Sequence, residues 1–245
     1  MSILLGIKSI LGRVLDIVPD VYARKSYSQE GEDVILNRIL SGQGRGFYVD
    51  VGAYHPRRFS NTHLFYQRGW SGINIEPNPD AIRIFKAVRR RDINVCLGIS
   101  DRAETLTYYN FEDPALNTFV EGLVKSRLEN TPYKVLKTTP VRVERLADVL
   151  ARYLPAGSKI DFLTVDVEGL DFAVLQSNDW ERYRPRWVLA EAMGKSIEEA
   201  LDGEIARFMN AKRYLLFAKT YNTLFFRSES EESNDPGGLD RLNRR

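Results

Sequence analysis

One stretch constrains the fold of this chain more than any other: Phe47-Tyr48-Val49-Asp50-Val51, followed at once by Gly52-Ala53-Tyr54-His55-Pro56. The run is short, rich in β-forming residues and bounded by Gly46 and Gly52, so it reads as a buried strand and not as a helix. A glycine where such a strand turns outward marks the place where open α/β sheets bind ligands, beyond the carboxyl ends of their strands.

The chain repeats that unit. Residues 73–76 read as a second strand ending on Glu76, and Asn78-Pro79 as an N-cap with proline in the first helical position. A helix follows to about residue 90 with Ile82, Phe85 and Val88 inward, and residues 93–99 form a third strand running into Ser100-Asp101. Upstream, residues 30–40 make a helix capped by Ser28, with Val34, Ile35, Ile39 and Leu40 inward. Ser60-Asn61 caps another helix carrying Leu64, Phe65 and Tyr66. Further on, short strands are expected at 106–111 and 141–143 and a helix at 146–153. Residues 160–165 are a clear strand ending in Asp166-Val167-Glu168-Gly169, and Trp187 to Glu191 another. A helix over 197–209 and a closing antiparallel hairpin, 214–219 with 223–227, complete the domain. Strands alternating with helices predict a mostly parallel sheet with helices on both faces. Residues 112–139 do not fit the repeat and read as an insertion, helical around 121–128, at the ligand end where lids and substrate loops occur.

Composition narrows the classes. The chain has 245 residues, enough for one full-sized domain, and a net charge of +2 gives no reason to expect nucleic acid as a partner. The basic run Arg89-Arg90-Arg91 is expected to decorate the end of a surface helix. A single cysteine, Cys96, excludes an internal disulfide and fits a reducing, cytoplasmic compartment. No Cys or His pair has zinc spacing, so no metal is expected. Residues 1–25 carry a helical apolar pattern through Ile3, Ile7, Ile10, Val14 and Val18, which suits packing on the domain or a second subunit, or peripheral contact with a membrane. The run from Ser228 through Gly238 lacks apolar residues, and the tail at 229–245 is expected to be disordered.

The strand ends bring together the groups that carry chemistry. Gly52, Glu76, residues 98–101 and Asp166 to Gly169 converge along one edge of the sheet. A carboxylate ending the second strand can accept hydrogen bonds from both ribose hydroxyls of a nucleoside. Gly52 is followed by no second glycine, so the loop is poorly built for a dinucleotide's pyrophosphate and suits a ligand without phosphate.

The segments Ser28-Gln29-Glu30-Gly31-Glu32-Asp33, Val49 to Pro56, Ser60-Asn61-Thr62, Gly69 to Pro79 and Asp166 to Gly169, in that order, resemble the FkbM family of methyltransferases over residues 27–227. The resemblance implies a class I, Rossmann-like sheet of seven strands with a C-terminal antiparallel hairpin, and S-adenosylmethionine as cofactor. It also implies O-methylation of a hydroxyl on a sugar, glycan, glycolipid or related metabolite. Carried over, Asp50 and Gly52 face the methionine half of the cofactor, with Ala53 beside them. Glu76 holds the ribose, Leu97, Gly98, Ser100 and Asp101 border the adenine, Gln29 covers the cofactor, and Asp166 and Glu168 lie next to the transferred methyl group.

A hydroxyl acceptor must lose its proton, and His55, Asp166 and Glu168 are the candidate bases. His55 reads equally as a base or as a loop histidine bonded to backbone, and Glu191 equally as a third site acid or a paired structural one. Asp166 and Glu168 lack a clear third partner for a divalent metal. His63 and Trp70 read as packing residues, and Arg57 and Arg58 as exposed residues that could meet an anionic acceptor. Two other classes stand beside the enzyme: a non-catalytic binding module on the same fold, and a nicotinamide-dependent oxidoreductase.

Overall fold

A computed structural model describes residues 23–194 and 196–230. The amphipathic N-terminal stretch to residue 22 and the tail from residue 231 lie outside the described residues. Among the described residues no helix is long and apolar enough to cross a membrane.

In chain order the elements are α1 (Glu32–Ile39), β1 (Phe47–Val51), α2 (His63–Gln67), β2 (Ser71–Ile75), α3 (Pro79–Val88), β3 (Ile93–Val95), β4 (Gly98–Ile99) and β5 (Glu104–Phe111). There follow a 3-10 turn (Pro114–Leu116), α4 (Glu121–Asn130), β6 (Val135–Glu144), α5 (Leu146–Tyr153), β7 (Phe162–Val165), α6 (Asp171–Gln176) and β8 (Trp187–Glu191). The domain closes with α7 (Ile197–Leu201), α8 (Glu204–Ala211), β9 (Tyr214–Lys219) and β10 (Thr223–Ser228).

Seven strands form one sheet in the order β3-β2-β1-β7-β8-β10-β9, parallel from β3 through β8 and closed by the antiparallel β9–β10 hairpin. The chain crosses from one half of the sheet to the other between β1 and β7, so these two strands mark the switch point where their outgoing loops diverge and leave a crevice.

Side chains alternate along the strands, and the two faces build two cores. Val49, Val51, Leu163 and Val188 pack with Leu146 and Leu150 of α5, Val174 of α6 and Met209 of α8. Tyr48, Phe162, Leu189 and Phe225 pack on the other face with Leu36 of α1, Phe65 of α2 and Trp70.

The expected third strand over 93–99 is two strands in different sheets. β3 ends at Val95, and β4 pairs in parallel with β6 in a three-stranded sheet of order β4-β6-β5. β6 begins at Val135, inside the stretch read as an insertion, and pairs antiparallel with β5 along eight residues. The turn and α4 form the remainder of that stretch.

Three smaller differences are physical in origin. The expected 197–209 helix is split at Asp202-Gly203, where Gly203 takes an extended conformation and starts α8. In α1 the deeply buried apolar residue is Leu36, alongside the buried acids Glu32 and Asp33, while Val34, Ile35 and Ile39 are half-buried. At the end of α3 the expectation is reversed: Val88 is 54% exposed and Arg89 1%. The Arg89 guanidinium finds acceptors inside the domain that no surface position would offer.

Candidate active site

The cleft lies at the carboxyl edge of the main sheet. Its floor is the turn after β1, where Gly52 has φ 81°, a left-handed conformation that favours glycine. A Cβ there would sit 1.7 Å from the carbonyl oxygen of Asp166, so the loops after β1 and β7 can meet only at glycine. The N–H groups of Gly52 and Ala53 both donate to the Ile75 carbonyl, at 3.0 and 3.1 Å, which locks this turn to the end of β2.

Glu76 is the next wall. It is 5% exposed, and its two carboxylate oxygens accept from Tyr54 N (3.0 Å) and Asn78 N (2.8 Å). Burial pushes its pKa up to about 7 in spite of those donors. The fold thus presents a buried acid that lines the cleft together with Tyr108, Leu97 and Gly98.

The third wall is the turn after β7. Asp166 is half-buried and lines the cleft, and its carboxyl comes within 4.8 Å of those of Asp171 and Glu191. Burial, then the charge of Glu191, raises Asp166 well above the ordinary carboxylate range, and Glu191 is raised by its own burial and by Glu168 and Asp171. Asp171 also braces the turn, accepting from Val167 N and Gly169 N, each at 3.2 Å. Glu168 has φ 54° and is ion-paired with Arg127 of α4. The three neighbours Asp166, Asp171 and Glu191 are the described side chains that could surround a cation; Glu168 faces Arg127 instead.

Of the residues singled out in the sequence, Gln29, Gly52, Glu76, Leu97, Gly98, Asp166 and Glu168 all line this cleft. Gln29 sits there because its neighbours are tied down on both sides. Asp33 accepts from Ser26, Ser28 and the Tyr27 N–H, while Glu30 and Glu32 accept from Asn222, Thr220 and Thr223 at the β9–β10 turn.

The others fall outside the cleft. Asp50 lies beneath the loop, accepting from Thr62 Oγ1 at 2.9 Å, with burial pushing its pKa to about 6. Ala53 is buried and contributes through its backbone. Ser100 is buried with its N–H donating to the Glu144 carbonyl, and Asp101 is exposed. The Nδ1 of His55 accepts from Arg57 N (3.1 Å) and Arg58 N (2.9 Å), so its imidazole closes the loop. Partial burial and the charges of Arg58 and Arg89 hold its pKa below the ordinary value. His63 packs edge-on against Tyr27, Trp70 is fully buried, and Arg57 and Arg58 are exposed.

Several cleft residues escaped the sequence reading. Tyr54 and Phe59, both at positive φ, stack at 6.2 Å on one side of the mouth, and Tyr108, Asn117 and Phe119 line the other. The last three sit on or beside β5, whose pairing with β6 gives no local signal. Asp171 carried one: an acid two residues after Gly169, at the start of a helix.

With the geometry in place, comparison with known proteins decides the family. The description "Methyltransferase FkbM domain" matches residues 50–216, about two thirds of the chain. The chain belongs to the FkbM methyltransferase family. A search of curated proteins finds no match. Among solved structures, this FkbM chain is similar to PH1948 of Pyrococcus horikoshii, a protein proposed to be an RNA methyltransferase, at 11% identity and a TM-score of 0.40, over 90% of this chain and 98% of that one. The FkbM match begins at Asp50, so the Gln29 segment precedes the matched residues while every other wall of the cleft falls within them.

Proposed function

We propose that this methyltransferase domain uses S-adenosylmethionine to methylate a hydroxyl group on a sugar, glycan, glycolipid or related metabolite. One observation carries the cofactor reading: Gly52, the buried Glu76 and Asp166 meet around a single cleft whose first loop has no second glycine to cradle a pyrophosphate.

In this reading Glu76 accepts from the ribose hydroxyls, Leu97 and Gly98 border the adenine, and the missing side chain at Gly52 lets backbone approach the methionine half. Gln29 covers the ligand from the N-terminal side. Bound S-adenosylmethionine supplies an electrophilic methyl group, which needs alignment more than activation. Asp166 would lie next to the transferred methyl group, with the carboxyls of Asp171 and Glu191 within 4.8 Å of its own. The chemistry the cofactor would supply is methyl transfer to the acceptor oxygen, with the methyl–sulfur bond broken and S-adenosylhomocysteine released, and Asp166, which lines the cleft, would take the hydroxyl proton. Its raised pKa would make it, once ionised, a stronger base than an ordinary carboxylate. His55 is engaged with the loop backbone and faces no part of the cleft.

Calorimetric titration with S-adenosylhomocysteine tests the cofactor reading. The intact protein is expected to bind, and Glu76→Ala to weaken binding by about tenfold or more, as loss of a charged hydrogen-bond partner would. No binding, binding indifferent to Glu76→Ala, or binding of NAD instead would overturn it. The acceptor class is tested with methyl-labelled cofactor and cell-envelope glycan extracts, where label is expected as an alkali-stable methyl ether on a sugar.

A further inference from the structure

Arg127 ties α4 to two walls of the cleft. Arg127 projects from α4 with its side chain 11% exposed, and its two terminal nitrogens point in different directions. Nη1 donates to the Leu116 carbonyl at 2.6 Å, in the segment that carries the cleft residues Ala115 and Asn117. Nη2 is ion-paired with the carboxylate of Glu168, itself a cleft residue on the turn after β7. A single guanidinium therefore spans two walls of the cleft that are about fifty residues apart in sequence.

Independent contacts close the same seam. Thr118, fully buried, donates its hydroxyl to the Glu168 carbonyl at 2.8 Å and accepts from Val120 N at 3.0 Å. A Cβ on Gly169, whose φ is 101°, would lie 2.7 Å from Leu123 and 3.3 Å from Val120. Glu168 and Gly169 thus hold consecutive left-handed conformations against the insertion. Such a turn costs free energy in isolation and persists where its surroundings over-determine it; here Arg127, Thr118 and Asp171 do so.

We propose that Arg127 is a positioning residue: acting through Glu168, it fixes the insertion's wall of the cleft against the Asp166–Gly169 turn, so that ligand affinity depends on docking of the insertion. Arg127 itself touches no ligand in this arrangement. The inference rests on the cofactor reading above.

A double-mutant cycle on S-adenosylhomocysteine affinity tests it, with thermal melting of each variant recorded alongside. Arg127→Met and Glu168→Gln are each expected to weaken binding by about tenfold, and the double variant by no more than the worse single, because both remove one tie. Arg127→Lys, which keeps charge and one donor, is expected to recover to within about threefold of the parent. Thr118→Val, which cuts the neighbouring tie, is expected to weaken binding in the same direction. Additive losses in the double variant, or an Arg127→Lys as weak as Arg127→Met, would reduce Arg127 to ordinary packing and overturn the proposal. If the intact protein fails to bind, the cofactor reading falls and this inference with it; if it binds and the cycle is additive, only the inference falls.

Discussion

At the scale of single residues, His55 shows how position and chemistry separate. An imidazole beside a glycine turn has the ordinary pKa for acid–base work near neutrality. Here Nδ1 accepts from two successive backbone N–H groups, at 3.1 and 2.9 Å, and so must be unprotonated to hold the loop. Partial burial and the neighbouring Arg58 and Arg89 charges, which lower its pKa, favour that neutral form. A glutamine can offer a carbonyl oxygen to the same donors. His55→Gln is therefore expected to keep S-adenosylhomocysteine affinity and methyl transfer within about threefold of the parent. His55→Ala leaves two donors without a protein partner in a half-exposed loop and is expected to cost about 1 kcal/mol of stability. Urea unfolding measures the second effect and turnover the first. A collapse of turnover in His55→Gln with unchanged stability would make the imidazole a base after all.

At the scale of elements, the loop after β1 is held from behind by Arg89, the residue that ends α3. Its Nε and Nη2 donate to the Pro56 carbonyl at 3.0 and 2.7 Å, Nη2 to Ser60 Oγ at 3.1 Å and Nη1 to the Tyr48 hydroxyl at 3.0 Å, while Asp92 lies 3.5 Å away as counter-ion. Asp92 in turn accepts from Tyr48, Asn74 and the Gly72 N–H. Removing one partner of a buried ion pair strands the other. Arg89→Met is thus expected to lose roughly 3–5 kcal/mol in urea unfolding. Arg89→Lys is expected to lose nearly as much, since one ammonium cannot replace this fork of donors. Nothing local distinguishes Arg89 from Arg90 and Arg91: a basic run at a helix end suits the dipole, and the acceptors that draw one of the three inward come from residues up to 41 positions away.

The same contrast explains what else was legible. The parallel strands β1, β2, β7 and β8 are short, mostly apolar runs buried along nearly their whole length, so their positions and the line of Gly52, Glu76 and Asp166 could be read directly. β6 is half-exposed over most of its length and carries Pro140, so its pairing with β5 left no periodic trace. With that pairing hidden, Tyr108, Asn117 and Arg127 could not be assigned to the cleft.

For the molecule as a whole, placing so many carboxyls at one sheet edge ties stability to pH. Glu76 has a folded pKa of about 7 against an ordinary 4.5, because burial disfavours its charge. Between those values the folded chain holds a proton that the unfolded chain has released, so stability falls as pH rises and the contribution is gone once pH passes the folded pKa. Asp50 and Asp171, both pushed by burial to about 6, act in the same direction at lower pH. His63 opposes them: burial lowers it to about 4, so its neutral folded form gains relative stability as pH rises towards 6.5. Above pH 6.5 that opposition, which the likewise lowered His55 shares, fades, while Glu76 and the raised Asp166–Glu191 pair are still titrating. From pH 6.5 to 8.5 Glu76 removes about 1 kcal/mol while His63 returns about 0.4 kcal/mol, so the raised pair carries much of the net fall in Tm, each kcal/mol being roughly 2–4 °C for a domain of this size. Thermal melting of the ligand-free protein across that range should show the decline, and Glu76→Gln and Glu191→Gln should each flatten it. A Tm that rises from pH 6.5 to 8.5 would mean that these acids are ionised in the folded protein at neutral pH. Asp166 would then enter the reaction as an ordinary carboxylate, too weak a base to take a hydroxyl proton efficiently.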